Sequence, residues 1–255
     1  MIKLKTPDQI ARMREACQIA AGARELAGRS VAVGMTTREL DAIVNDYILK
    51  HGAKPSFYKY DGFPGHVCIS VNDEVVHGIP GDRVIQDGDL VSVDLGAYYK
   101  GFHSDTADTF LVGNVTDEAR RLVENTRACF YAALPYCQPG CRLGDLGHAV
   151  ELCAKEAGFA PVRVLSGHGI GKEVHEDPEV LNYGRPGTGD VLKAGMVLAI
   201  EPMINLGTYK TRQMPDGWLV CTRDGLPSAH FEKTVAITED GPVILTTEEG
   251  HRRPV

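Results

Sequence analysis

Apolar residues recur at helical spacing in four stretches of the chain. Ile10, Met13, Ile19 and Ala20 follow Thr6-Pro7, a cap with a first-turn proline, and predict a helix from about Thr6 onward. Leu40, Ile43, Val44 and Ile48 follow Thr36, with Glu39 three residues after the threonine as in a capping box; Gly52 is the expected stop. A third helix begins at Thr116 in TDEARRLVENTRACFYAAL, with acidic residues in its first turn, and a fourth lies in CRLGDLGHAVELCAKEAGF. Between the two pairs the pattern shortens to strands: HVCISVN, DLVSVDLGAYY and FHSDTADTFLVG. An aromatic-rich loop, PSFYKYDGFP, precedes them, and LAIEPMI and AHFEKTVAI read as later strands.

The two helix pairs share a frame. Gly34, Leu40 and Gly52 recur as Gly140, Leu146 and Gly158, each 106 positions on, while the helices from Thr6 and Thr116 match more loosely. This pattern predicts an α+β fold in which a helix-pair-plus-strands unit is used twice, with strand ends of both halves meeting across a cleft. Coincidence between amphipathic helices is the open alternative. Without a long linker, the expected organisation is one catalytic domain over 1–255, with halves of about 1–113 and 114–245 sharing a core.

Composition adds boundaries. The chain has 255 residues, 43% of them hydrophobic, enough for an ordered core. Its net charge of -7 argues against a nucleic-acid or anionic-membrane footprint. The start, MIKLKTPDQI, resembles neither a secretory signal nor a membrane span. Seven scattered cysteines make no disulfide framework, and Cys137 and Cys141 flank a Pro-Gly turn without a second pair, so free cytosolic thiols are expected.

The chemistry gathers around DLGAYYKGFHSDTADTF. If YYKG is the hairpin turn, Tyr98 faces Gly101 and Asp94 faces Asp105. Facing Cβ atoms lie about 4.5–5.5 Å apart, so two carboxylates there require a shared proton or a cation. Other polar groups sit in apolar or glycine-rich settings: His168 in SGHGIG, Glu201 in LAIEPMI, and Glu232 inside the strand of AHFEKTVAI. Each has an ordinary explanation: a turn for Asp94, a strand-end cap for Glu201, a solvent face for Glu232, turn or core packing for His168. Together, Asp94, Asp105, His168, Glu201 and Glu232 form a donor set of four carboxylates and one imidazole. That set suits two divalent ions among Mn, Fe, Co and Zn, about 3.5–4 Å apart, better than a thiolate zinc site. A second combination, His103 and Asp105 as H-x-D with His168 or His230, would make an iron oxygenase site, but leaves Asp94, Glu201 and Glu232 without a role.

From about residue 4 to about 245 the chain resembles the type I methionine aminopeptidases of the M24-type metallopeptidases. The segments that carry the likeness are NDEVVHGIP, DLVSVDLGAYYKGFHSDTADTF, GHGIG with VHEDP, AIEPM and SAHFEKT. The resemblance implies the duplicated pita-bread (creatinase/aminopeptidase) fold, with pseudo-twofold halves around a central antiparallel sheet and two metals in its cleft. It implies that Asp94 ligates one metal, that His168 and Glu201 ligate the other, and that Asp105 and Glu232 bridge them. It places His77 near the substrate amine and His175 near the scissile carbonyl. Phe57, Tyr60, Phe63 and Trp218 become the methionine pocket. Relatives often carry glutamine at His230 and histidine at Lys233; His230 shares strand parity with Glu232, which turns it toward the cleft beside the ligands.

The implied activity is metal-dependent removal of the N-terminal methionine from nascent proteins and peptides, with a small second residue preferred. A metal-activated water attacks the first peptide carbonyl, with Glu201 as general base. The implied setting is cytoplasmic and monomeric, with transient ribosome association compatible with the substrate and no nucleic-acid or membrane partner. The competing readings are a proline-specific aminopeptidase of the same fold and a non-enzymatic binding protein that kept it.

Overall fold

Four capped helices and a set of short strands make up residues 1–247, which the computed structural model describes. Helix α1 spans Pro7–Ser30: the Thr6 hydroxyl accepts the Gln9 N–H, and the Gln9 side chain accepts the Thr6 N–H in return. Helix α2, Thr37–Lys50, repeats the arrangement with Thr36 and Glu39. Such caps contribute about 1 kcal/mol each by satisfying otherwise orphaned amides. Thr116 caps α3, Asp117–Ala133. Helix α4, Leu143–Glu156, begins at Arg142, whose N–H donates to Asp145.

The helices pack as the pairs α1–α2 and α3–α4, each against its own strands. Ala20, Ala23 and Ala27 of α1 let that helix lie close over Val91, Val93 and Leu95, together with Leu40, Val44 and Ile48 of α2. Leu122 and Phe130 of α3 and Leu146 and Val150 of α4 cover Leu198, Ile200, Val235 and Ile237. Each fully buried Leu, Ile or Val in these layers contributes about 1.5–3 kcal/mol.

All strand pairings are antiparallel. In the first half, Leu90–Leu95 lies between Cys68–Val71 and Thr106–Leu111. In the second, Val197–Ile200 lies between Ser166–Gly169 and Lys233–Thr238. The strips meet where Glu232 N–H donates to Ala107 O at 3.0 Å and Thr109 Oγ1 donates to His230 O at 2.9 Å. The candidate ligands Asp94, Asp105, His168, Glu201 and Glu232 gather at this junction.

Two strand expectations need correction. The hairpin turn is centred on Lys100 and Gly101, with φ of 49° and 86°, so Tyr99 faces Phe102 and Asp94 faces Ala107 rather than Asp105. Two positive φ values suit the right-handed twist of the flanking strands, which accounts for the turn lying one residue later. The slip moves pairing by two positions, so Asp94 and Asp105 keep a common face as diagonal neighbours. The second correction concerns AHFEKTVAI, which is interrupted: Ser228–His230 and Lys233–Thr238 are separate strands, and Glu232 lies in the break. Glu201 occupies a similar break between Val197–Ile200 and Met203–Asn205, and Asp105 one between Phe102–His103 and Thr106–Leu111. Gly96 marks the matching break opposite Asp105, where a Cβ would come within 2.4 Å of Ser104 O. Among the described residues, no helix is long and apolar enough to cross a membrane.

Candidate active site

At the junction of the strips, one ligand atom from each of Asp105, His168 and Glu232 lies within 4.8 Å of the others. His168 Nε2 is 3.5 Å from Glu201 Oε1 and 3.8 Å from Asp105 Oδ2. Asp94 completes the group, in side-chain contact with Asp105 and Glu232. The five side chains come from four separate segments, and all line one cavity of about 340 Å³.

The electrostatics of this cluster are those of a site short of positive charge. Burial pushes the Asp94 carboxyl up to about 7. Burial, and then the neighbouring carboxylates, push Asp105, Glu201 and Glu232 well above the ordinary range. Asp94 Oδ1, Asp105 Oδ1 and Glu232 Oε1 are buried without a hydrogen-bond partner among the described residues. Among the described residues, no lysine or arginine forms an ion pair with any of the four carboxylates. His168 Nδ1–H donates to Gly169 O at 2.9 Å, which leaves the Nε2 lone pair facing Glu201 and Asp105. Burial, with the charge of His175 next, lowers His168 to about 3, so it stays neutral and able to ligate. Orphaned oxygens beside a bare imidazole nitrogen fit hard or borderline divalent cations.

Three further histidines surround the cluster. His77 faces the cavity with φ of 60°, a left-handed conformation uncommon outside glycine, and its ring lies 6.4 Å edge-on from Trp218. His175 stands at the mouth, its ring 4.2 Å from that of His168 and its Nδ1 2.7 Å from Tyr60 Oη. His230 lies beneath, 2% exposed, with Nε2 3.8 Å from Glu201 Oε2 and neither ring nitrogen hydrogen-bonded among the described residues. Burial, followed by the charges of His77 and Lys233, lowers it to about 3.

An apolar wall closes the side of the cavity. Phe57, Phe63, Tyr60 and Trp218 pack together, with Phe63 and Trp218 edge to face at 5.2 Å. Sequence reasoning missed Cys68, which lines the cavity, and Val174, which packs with the aromatic cluster without lining it. Their signals are positional: Cys68 pairs with Asp94 across the strands, and Val174 immediately precedes His175. A wider depression of about 1090 Å³, between Met1 and the loop around Arg185, is lined by no histidine among the described residues.

Several candidates stay outside the cluster. His103 bonds Ser56 Oγ at 3.0 Å, lies against the Tyr98 ring and does not line the cavity, so His103-Ser104-Asp105 does not act as a two-ligand unit. Lys233 points away, its Nζ 4.2 Å over the Phe231 ring and 3.5 Å from Thr106 Oγ1. Cys137 and Cys141 are free.

The model of metallopeptidase family M24 matches residues 11–239. A methionine aminopeptidase of Clostridium perfringens is 49% identical over 246 residues, which cover 96% of this chain and 99% of that protein. The crystal structure of a methionine aminopeptidase from Thermotoga maritima superposes with a TM-score of 0.95 at 42% identity, covering 97% of this chain and all of the other. A prolidase from Pyrococcus furiosus superposes at 0.79 with 30% identity; the match covers 96% of this chain and 66% of the prolidase.

Proposed function

The chain belongs to metallopeptidase family M24, on the side of its methionine aminopeptidases, and we propose that it removes the N-terminal methionine from nascent proteins and peptides. The observation that carries this reading is the set of partnerless buried carboxylate oxygens on the floor of an aromatic-walled cavity. Asp94, Asp105, His168, Glu201 and Glu232 would hold two divalent cations, drawn from Co, Mn, Fe and Zn. When bound, the cations supply Lewis acidity toward the scissile carbonyl and lower the pKa of a water.

The side chains divide the remaining work. Glu201 accepts a proton from the attacking water and returns it to the leaving amine as the carbon–nitrogen bond breaks. With the Tyr60 O–H donating to His175 Nδ1, His175 Nε2 carries the proton and donates toward the carbonyl oxygen, where negative charge develops. His77 contacts the nitrogen side of the bond. Phe57, Tyr60, Phe63 and Trp218, with Cys68, receive the thioether side chain, which makes favourable contacts with aromatic rings. His230 supports Glu201 from below without ligating. In this reading the cleft takes a free α-amine and has no room for an upstream chain, and a small second residue is preferred.

The working form is a cytoplasmic monomer with one catalytic domain, its halves about 1–113 and 114–245; of the expected 1–255 span, 248–255 lie outside the described residues. It meets chains at their free N terminus, through transient ribosome association. A peptide panel with divalent ions tests the reading. Rapid methionine release from Met-Ala-Ser, little action on Xaa-Pro peptides and loss of activity in Glu201→Ala are expected. Preferential Xaa-Pro cleavage would favour a prolidase-like specificity. Unchanged release by Glu201→Ala would remove the proposed base.

A further inference from the structure

The loop between strands Ser166–Gly169 and Glu176–Leu181 ends on His175, and its shape is set by the next residue. Glu176 Oε1 accepts the backbone N–H of Lys172 at 3.0 Å and of Glu173 at 3.4 Å. Glu176 Oε2 accepts from Lys5 Nζ at 2.8 Å, and the Lys5 and Glu176 side chains are only 6% and 2% exposed. Lys3 adds a longer contact of 3.7 Å from the surface. Lys5 is itself fixed, because its N–H donates to Gly195 O at 2.7 Å and Thr6 caps α1 immediately after it. Packing around the pair is tight: a Cβ at Gly171 would come 2.7 Å from Lys5 Cε and 2.9 Å from Glu176 Oε1.

A buried ion pair adds little net stability, since desolvation opposes the Coulomb gain, but removing one partner strands a buried charge. Here the carboxylate is held by Lys5 on one oxygen while its other oxygen gathers two amides of the loop. Losing the lysine frees Glu176 to turn toward water and releases the turn just ahead of His175. We propose that Lys5 is a positioning residue for methionine release: through Glu176, it fixes the Gly171–His175 loop so that His175 stands between Tyr60 and His168. This rests on the reading of His175 as the donor to the scissile carbonyl. A shift of about 1 Å in such a donor costs on the order of 100-fold in rate.

The test compares Lys5→Met and Lys5→Arg, each alone and in a His175→Ala background, with Met-Ala-Ser and saturating divalent ion. Amide hydrogen exchange over residues 171–176 is followed in parallel. Lys5→Met is expected to lower kcat by about 10- to 100-fold with KM within about threefold, and to speed exchange at Lys172 and Glu173. Lys5→Arg should recover most of kcat. In His175→Ala, adding Lys5→Met should cost less than about twofold more, because the two act as one unit. An equal loss in both backgrounds, or unchanged exchange, would overturn the tether. Wild-type kcat in Lys5→Met beside a crippled His175→Ala would also overturn it. Wild-type kcat in His175→Ala would overturn the proposal at its premise. If Lys5→Met folds poorly, Glu176→Gln, which keeps one carbonyl oxygen for the loop amides, carries the same comparison.

Discussion

Replacing Asp94 with asparagine should make the metal-free protein more stable while abolishing activity. Burial raises the Asp94 carboxyl from 3.8 to about 7, so the folded state holds a proton that the unfolded chain releases. Because the folded value lies above the unfolded one, the stabilising contribution of the protonated carboxyl is complete below pH 3.8 and is lost as pH rises through about 7. The difference is worth about 4 kcal/mol well above neutrality, at about 1.4 kcal/mol per pH unit. Asp94 retains some access to cleft water, and roughly half of that figure, about 2 kcal/mol, is the expected net effect. Asparagine keeps the shape, carries no charge and offers an amide toward Asp105 and Glu232.

The assay is urea unfolding of chelator-treated protein at about pH 5 and about pH 8. Wild type should weaken between the two, while Asp94→Asn should change less and be the more stable at the higher pH by about 2 kcal/mol. Adding divalent ion should reverse the order, since a ligand at 100 times its Kd stabilises the protein that binds it by about 2.7 kcal/mol. Parallel pH slopes for the two proteins, or a less stable variant at about pH 8, would refute the argument that unpaired carboxylates strain the metal-free site.

Two other substitutions probe how the backbone supports the site. His77→Asn should hold stability within about 1 kcal/mol, because asparagine tolerates the observed φ of 60°, while methionine release falls; thermal unfolding and kcat together check it. Gly96→Ala should lower both stability and divalent-ion affinity, because a Cβ 2.4 Å from Ser104 O forces apart the break that holds Asp94 near Asp105; calorimetric titration of the chelated variant measures the loss.

Helix starts were legible because their signals are local: Thr6 with Gln9 and Thr36 with Glu39 complete their boxes within one turn. The hairpin register was not, because nothing local marks Lys100, a residue that usually avoids positive φ, as a turn centre. Acidic residues amid apolar runs singled out Asp94, Asp105, Glu201 and Glu232 before any comparison. Their convergence depends on strand breaks created by partner strands far away in sequence. Cys68 escaped notice because a small apolar residue in a pocket wall looks the same in sequence as one in the core. The Lys5–Glu176 pair spans 171 positions, and no periodicity within either segment points to the other.

The central claim is that four carboxylates and one imidazole hold paired cations beside a bound amino terminus. Anomalous diffraction from crystals of the protein loaded with manganese tests it most directly. The account requires two peaks about 3.5–4 Å apart, both reached by side chains of the set Asp94, Asp105, His168, Glu201 and Glu232. Manganese bound elsewhere, with these carboxylates free of metal in a protein that still releases methionine, would contradict it.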